Sequence, residues 1–126
     1  MLTVLLPWPP QPLHPNGRPH RQQKARVTKA YRGNAYWSAM SAFEGFGRDV
    51  DAVRDAPRVR VQLTFRPPDR RNRDEDGMQA AVKAGLDGIA DALGINDHRF
   101  AMDRPVIESP VPHGQVVVRL TPETDE

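Results

Sequence analysis

Apolar residues recur along this chain with two periods, and the places where the period changes divide it into six elements. Leu2 to Leu6 is a short apolar run, partly β-branched, closed by Pro7-Trp8-Pro9-Pro10. It reads as a strand whose exit is forced by proline, which lacks a donor and fixes φ. Val59, Val61, Leu63 and Phe65 alternate with Arg60, Gln62 and Thr64, the period of a half-buried strand, until Pro67-Pro68 ends it. Two further strands fall near Arg104–Glu108 and Gln115–Leu120, joined by a turn region from Ser109 to Gly114. Helical spacing governs two segments. In the first, Thr28 can cap a helix whose Tyr36, Met40 and Phe43 recur beside Trp37 and Ala39, and Gly45 and Gly47 stop it. Its aromatics read as core. In the second, from about Asp76 to Ala92, the stripe is Met78, Val82, Leu86, Ile89 and Leu93. Between the first strand and the first helix, about residues 11–27, the chain is polar, basic and without period. It reads as a long flexible loop. The order β-α-β-α-β-β, with no repeat and no linker, predicts one α+β domain over residues 1–126: a single-layer mixed sheet with two main helices.

Composition removes whole classes of chemistry. The 126 residues include no cysteine, which excludes disulfides, thiol catalysis and thiolate-rich metal sites. No apolar stretch approaches a membrane span and no secretory signal opens the chain, so the cytoplasm is the default compartment and no membrane partner is expected. The net charge of +2 conceals a strong local pattern. Arg18, Arg21, Lys24, Arg26, Lys29 and Arg32 precede the first acid, Glu44. A second basic cluster, Arg66, Arg70, Arg71 and Arg73, contains Asp69 and runs directly into Asp74-Glu75-Asp76. The chain closes on an acidic tail, about residues 121–126.

On a wheel of 100° per residue, Asp76, Lys83, Asp87 and Asp91 share the face of the second helix opposite its apolar stripe. Asp74 lies just upstream and Asp97 in the loop just after. A loop returning over the helix would carry Asp97 towards Asp74 and Asp76. Magnesium takes hard oxygen ligands, commonly one or two carboxylates with waters and a substrate phosphate. Carboxylates beside arginines therefore suit phosphodiester hydrolysis, in which metals activate water and cations neutralise developing charge. The plainer reading of the same residues is structural. Asp76 can cap a helix with Gln79 at its third position, and acids in a first turn complement the macrodipole. Lys83, Asp87 and Asp91 are then a solvated face, and Arg70, Arg71 and Arg73 a solubilising edge. The four histidines, His14, His20, His98 and His113, have unrelated spacings and suggest neither ligand nor base.

Leu6-Pro7-Trp8-Pro9-Pro10 closing the first strand resembles the N-terminus of RusA-type Holliday junction resolvases. So do Pro68-Asp69-Arg70-Arg71-Asn72-Arg73-Asp74-Glu75-Asp76, the helical Lys83-Ala84-Gly85-Leu86-Asp87 and the loop Ile95-Asn96-Asp97. The likeness spans nearly the whole chain, including element order. It implies a homodimeric α+β endonuclease with two acidic, Mg²⁺-dependent sites (Mn²⁺ as a substitute) that places paired nicks in four-way DNA junctions. On the family's motif, Asp74 and Asp76 match the paired metal-binding aspartates, Asp97 the third and Lys83 the essential lysine, with Asp87 following it. Three positions depart from the pattern. Gly77 stands where asparagine is common, Asn96 where many relatives have a second acid, and Lys83 falls three residues farther from Asp76.

The leading expectation is thus a Mg²⁺-dependent endonuclease of branched DNA. Lys83 and Arg73 would stabilise charge on the reacting phosphate. Arg18, Arg21, Lys24, Arg26 and Lys29, with Arg70 and Arg71, would hold phosphate backbones in a salt-dependent manner. A junction-binding or architectural protein that has lost catalysis through the changes at Gly77 and Asn96 is the alternative. A Mg²⁺-dependent nucleotide hydrolase would use similar carboxylates but has little need of the basic loop.

Overall fold

Alternation fixes the sheet. In the computed structural model, which describes residues 1–14 and 20–123, strand β1 (Leu2–Pro7) buries Leu2, Val4 and Leu6 and exposes the residues between. β5 (Gln115–Glu123) pairs antiparallel with both β1 and β2 (Arg58–Arg66), giving rows Leu2–Leu120–Val61, Val4–Val118–Leu63 and Leu6–Val116–Phe65 on one face. Those rows are the sheet side of a single core. The strand expected near Arg104–Glu108 is realised as two short pieces, β3 (Phe100–Met102) and β4 (Val106–Ile107), both parallel to β2. Pro105 divides them, because it has no N–H for the ladder. Beside it the Gln62 amide donates to the Arg104 carbonyl at 3.0 Å. The result is a five-stranded mixed sheet of order β1-β5-β2-β3, with β4 also on β2. β5 runs past its expected end at Leu120: Thr121, Pro122 and Glu123 pair with Arg60, Val59 and Arg58. Residues 121–123 of the expected tail are therefore strand, and the rest of it lies outside the described residues.

Three helices accompany the sheet, one more than the apolar periods predict. α1 (Arg21–Ala42) begins seven residues before Thr28, so residues 21–27 of the expected loop over 11–27 are helix; Gln11–Leu13 is a 3-10 turn, and residues 15–19 lie outside the described residues. The first turns of α1 are polar all round and show no stripe, yet Arg, Gln, Lys and Ala all favour helix. Thr28 is no cap; its hydroxyl donates to the Lys24 carbonyl at 2.7 Å from inside the helix. The buried stripe is Tyr31, Ala35, Ala39 and Phe43, spaced by four. Trp37, core by its spacing, lies on the far side and is 69% exposed, and Met40 is exposed as well. α2 (Gly47–Asp55) has no signature in the apolar periods because its inward face has only Val50 and Val53 among charged residues.

α3 (Glu75–Leu93) carries the expected stripe and ends at Gly94, whose φ of 71° is the left-handed conformation glycine adopts without strain. Its contact with α1 depends on two other glycines. A Cβ at Gly85 would stand 2.9 Å from side-chain atoms of both Leu6 and Tyr31, and one at Gly88 only 2.2 Å from the Arg32 carbonyl oxygen. Tyr31 donates its hydroxyl to the Pro7 carbonyl at 2.7 Å, tying α1 to the end of β1. One turn beyond Gly88, Asp91 accepts two bonds from the Arg32 guanidinium at 2.7 and 2.9 Å, and this pair lowers the Asp91 pKa.

Gly88→Ala sets a helix-propensity gain of about 1 kcal/mol against a collision with backbone that cannot turn aside. The collision should win, with a net loss of about 1–3 kcal/mol. Gly33 lies inside α1, where a Cβ would meet nothing within 4 Å. It should behave oppositely, Gly33→Ala gaining up to about 1 kcal/mol. Urea unfolding of both variants checks the pair; equal shifts would show that the α1–α3 approach is looser than this.

Candidate functional site

Pro67-Pro68 releases the chain from the ladder at the end of β2; it bends at Pro68 and Asp69 and then runs without helix or strand to Asp74. Asp74, with φ −84° and ψ 131°, is the helix cap: its Oδ1 accepts from the Asp76 N–H at 3.2 Å. The cap expected at Asp76 is thus two residues earlier. Asp76 falls instead in the first turn of α3 with Glu75, where the partial positive charge of the helix start favours acids. Asp74 and Asp76 are both exposed, and with Asn72, Arg73, Gly77 and His14 they line a recess of about 280 Å³.

The arginines ahead of this pair are not equivalent. Arg73 is the least exposed, at 18%, and its guanidinium donates to the Asp69 carboxylate at 2.7 Å and to the carbonyls of Asp69 and Arg71. It also stands over the Trp8 indole, 5.4 Å from the ring centroid. Trp8 is set in turn by edge contact with Phe65 at 6.0 Å and lies beside His14. The Arg71 backbone N–H, and then the Arg73 guanidinium, hold the Asp69 carboxyl down at about 2. Arg73 is therefore built into a Trp8–Arg73–Asp69 stack, whereas Arg70 and Arg71 extend into solvent. Neither Trp8 nor Asp69 stands out as a site residue in the sequence. The four-residue interval from Asp69 to Arg73 is the available signal, but it reads as a pair only once that stretch is known to fold back on itself.

Along α3, Lys83 does not stand free. Its ammonium donates to Asp87 at 2.8 Å and to Asp97 at 2.5 Å, which raises the lysine pKa and, through Lys83 first, lowers that of Asp97. Asp87 and Asp91, expected as a solvated face, are thus both ion-paired. With Arg32 and Asn96 this cluster bounds a second recess of about 370 Å³. Asp97 opens a short 3-10 turn, Asp97–Arg99, that Asn96 caps by accepting from the His98 N–H at 3.0 Å. Asn96 therefore has a structural task. Among the described residues no three carboxylates or imidazoles lie close enough together to hold one metal ion. Asp74 and Asp76 remain a pair, and Asp97 comes back over the helix to Lys83. Arg21, Lys24, Arg26 and Lys29 are exposed on the first turns of α1 as a helical surface, not a loop. Arg18 lies outside the described residues.

No family model matches the chain. The crossover junction endodeoxyribonuclease rusA of Enterobacteria phage 82 is 30% identical over 112 residues, covering 88% of this chain and 85% of the phage protein. RusA of Escherichia coli K12, named a crossover junction endodeoxyribonuclease, is 29% identical over 113 residues, 89% and 86% of the two chains. An uncharacterized protein of Xylella fastidiosa is 40% identical over 128 residues, covering all of this chain and 80% of its own.

The depressed Asp69 carboxyl gives a pH test of the stack. Its folded-state pKa lies below the unfolded value of about 4, so its contribution is fully present above that value and disappears as pH falls to about 2. The melting-temperature gap between the parent and Asp69→Asn should be constant above about pH 5 and close on the acid side. A gap that stays open at pH 2 would mean the carboxylate is not what Arg73 rests on.

Proposed function

The chain belongs to the family of RusA crossover junction endodeoxyribonucleases, and we propose that it is a magnesium-dependent endonuclease that resolves Holliday junctions and related branched DNA by paired nicks. The observation that carries this reading is the exposed Asp74–Asp76 pair at the start of α3, flanked on the chain by Arg70, Arg71 and Arg73. Mg²⁺, or Mn²⁺ in its place, suits two adjacent carboxylates because it keeps several waters and accepts substrate phosphate oxygens for the rest. The ion supplies activation of water and neutralisation of the leaving oxygen when bound. Asp74 and Asp76 fit that task. Asp97 is the third carboxylate of the proposed set, and its engagement with Lys83 must be exchanged for it to join the pair.

The remaining work falls to cations of the chain itself. Arg73, held by Asp69 and Trp8, presents a fixed positive charge next to the carboxylates at no cost of side-chain ordering during the reaction. Lys83, kept protonated by Asp87 and Asp97, is the second cation for the reacting phosphate. Arg70 and Arg71, with Arg21, Lys24, Arg26 and Lys29 along α1 and Arg18 before it, hold the backbones of the junction arms. Each phosphate so neutralised releases counterions and makes affinity fall with salt. Two symmetric cuts are met by an isologous homodimer. No described helix is long and apolar enough to cross a membrane.

The separation of Asp97 from the Asp74–Asp76 pair favours one other reading, a junction-binding protein of weakened catalysis. Labelled four-way junctions of several sequences distinguish them. The endonuclease should give paired nicks with Mg²⁺ and none with EDTA, and Asp76→Asn should slow cutting by about a hundredfold or more while still binding. Salt-sensitive binding with no product from the metal-loaded parent on any sequence would leave the binding protein in its place.

A further inference from the structure

Beside the recess at Asp74 and Asp76 lies a second, of about 320 Å³, which shares His14, Asn72 and Arg73 with it. Trp8, Pro9 and Pro68 give it aromatic and apolar lining, and Gln11, Asn72 and Arg71 line it as well. Its size is that of a small-ligand site. We propose that this recess receives one unstacked nucleobase of the strand being cut, next to the phosphate held at Asp74 and Asp76, and that Gln11 and Asn72 read its edge and so choose the cleavage position.

The chemistry of the walls favours a base over a second phosphate. Of the two arginines that line the recess, Arg71 is exposed and paired with Asp69, and the more buried Arg73 is engaged by Asp69, two carbonyls and the Trp8 face. Its Asp69 partner adds a negative charge that a phosphate would have to approach. Aromatic and proline surfaces suit the face of any base, and stacking on an aromatic is the usual means of holding one taken out of a helix. Amides offer a donor and an acceptor together, which matches a base edge; a phosphate only accepts. His14 supports the wall without closing it: its Nε2–H donates to the Pro9 carbonyl at 2.9 Å, and its ring lies 26° from the plane of Trp8. The point of strand exchange in a branched junction is where stacking is interrupted, so extruding a base costs least there.

The proposal rests on the endonuclease reading for the position of the strand, and two measurements keep their failures apart. In the first, 5-iododeoxyuridine is placed in turn at each nucleotide around the exchange point, the complex is irradiated in EDTA, and cross-linked peptides are mapped. One position should cross-link to Trp8 or His14. Cross-links that miss both from every position overturn the base pocket, whether or not the protein cuts. The second compares cutting by the Mg²⁺-loaded protein on junctions that differ only in the bases flanking the nick. Asn72→Ala and Gln11→Ala, both surface changes, should shrink the ratio of best to worst sequence by about tenfold. If both variants keep the parent's preference, the recess does not read the base. A parent that cuts nothing ends the endonuclease reading, while the cross-link still decides the pocket.

Discussion

The approach of α1 to α3 at Gly88 decides where the charged groups of this protein stand. A Cβ at that position would lie 2.2 Å from the Arg32 carbonyl oxygen, so the two helices touch backbone to backbone with no side chain between them. That approach lets small residues, Ala35 and Ala39, serve as the buried stripe of α1, with Tyr31 reaching the end of β1. It also brings Arg32 against Asp91, two bonds that stabilise by only about 1 kcal/mol or less at this exposure but fix the turn of one helix relative to the other. With that setting, the basic first turns of α1 and the acidic start of α3 belong to one rigid frame.

Within that frame, opposite charges are kept apart by geometry more than by distance along the chain. Asp69 lies five residues before Asp74, yet its carboxylate is consumed by Arg71 and Arg73, while those of Asp74 and Asp76 are turned to solvent at a helix start. A helix beginning with two exposed acids is not strained by them, because the macrodipole and the Asp76 N–H both favour the Asp74 carboxylate. Folding therefore does not require the metal that the proposed chemistry does. The Trp8–Arg73 stack places a cation beside that pair whose position is set by the end of β1, not by the mobility of an arginine side chain.

Much of this is legible in the sequence, and the misses share a cause. Strands betray themselves through alternation, and β1, β2 and β5 lie close to their expected bounds because each buries one face. Helices show only where they bury a wide stripe: α3 has one, the first turns of α1 and all of α2 do not. The exposure of Trp37 escapes the sequence for the same reason, since spacing shows that an aromatic lies on a helix but not which face of that helix packs against α3. At the site, the carboxylates and arginines are identifiable by type and order. Their partners are not, because Asp69 with Arg73, Arg73 with Trp8, and Lys83 with Asp97 depend on how an irregular stretch and a short 3-10 turn fold back.

The seven-residue interval between Asp76 and Lys83 has a physical consequence on the same helix. Seven residues turn α3 through nearly two full revolutions, so Lys83 keeps the face of Asp76 but lies about 10 Å farther along the axis. A lysine at that level cannot share one phosphate oxygen with the Asp74–Asp76 pair unless its long side chain is released towards it, and here Asp87 and Asp97 hold it where it is. Asn96 strengthens that arrangement by capping the turn that presents Asp97, where a second acid would add a charge competing for the ammonium. Lys83 and the capped turn thus form one arrangement: at its level of the helix the lysine takes the neighbouring loop as its anchor, and the neutral Asn96 cap leaves Asp97 as the carboxylate it pairs with there. On the proposed reading, Lys83 and Asp97 then enter the chemistry together, since whatever draws one away unpairs the other.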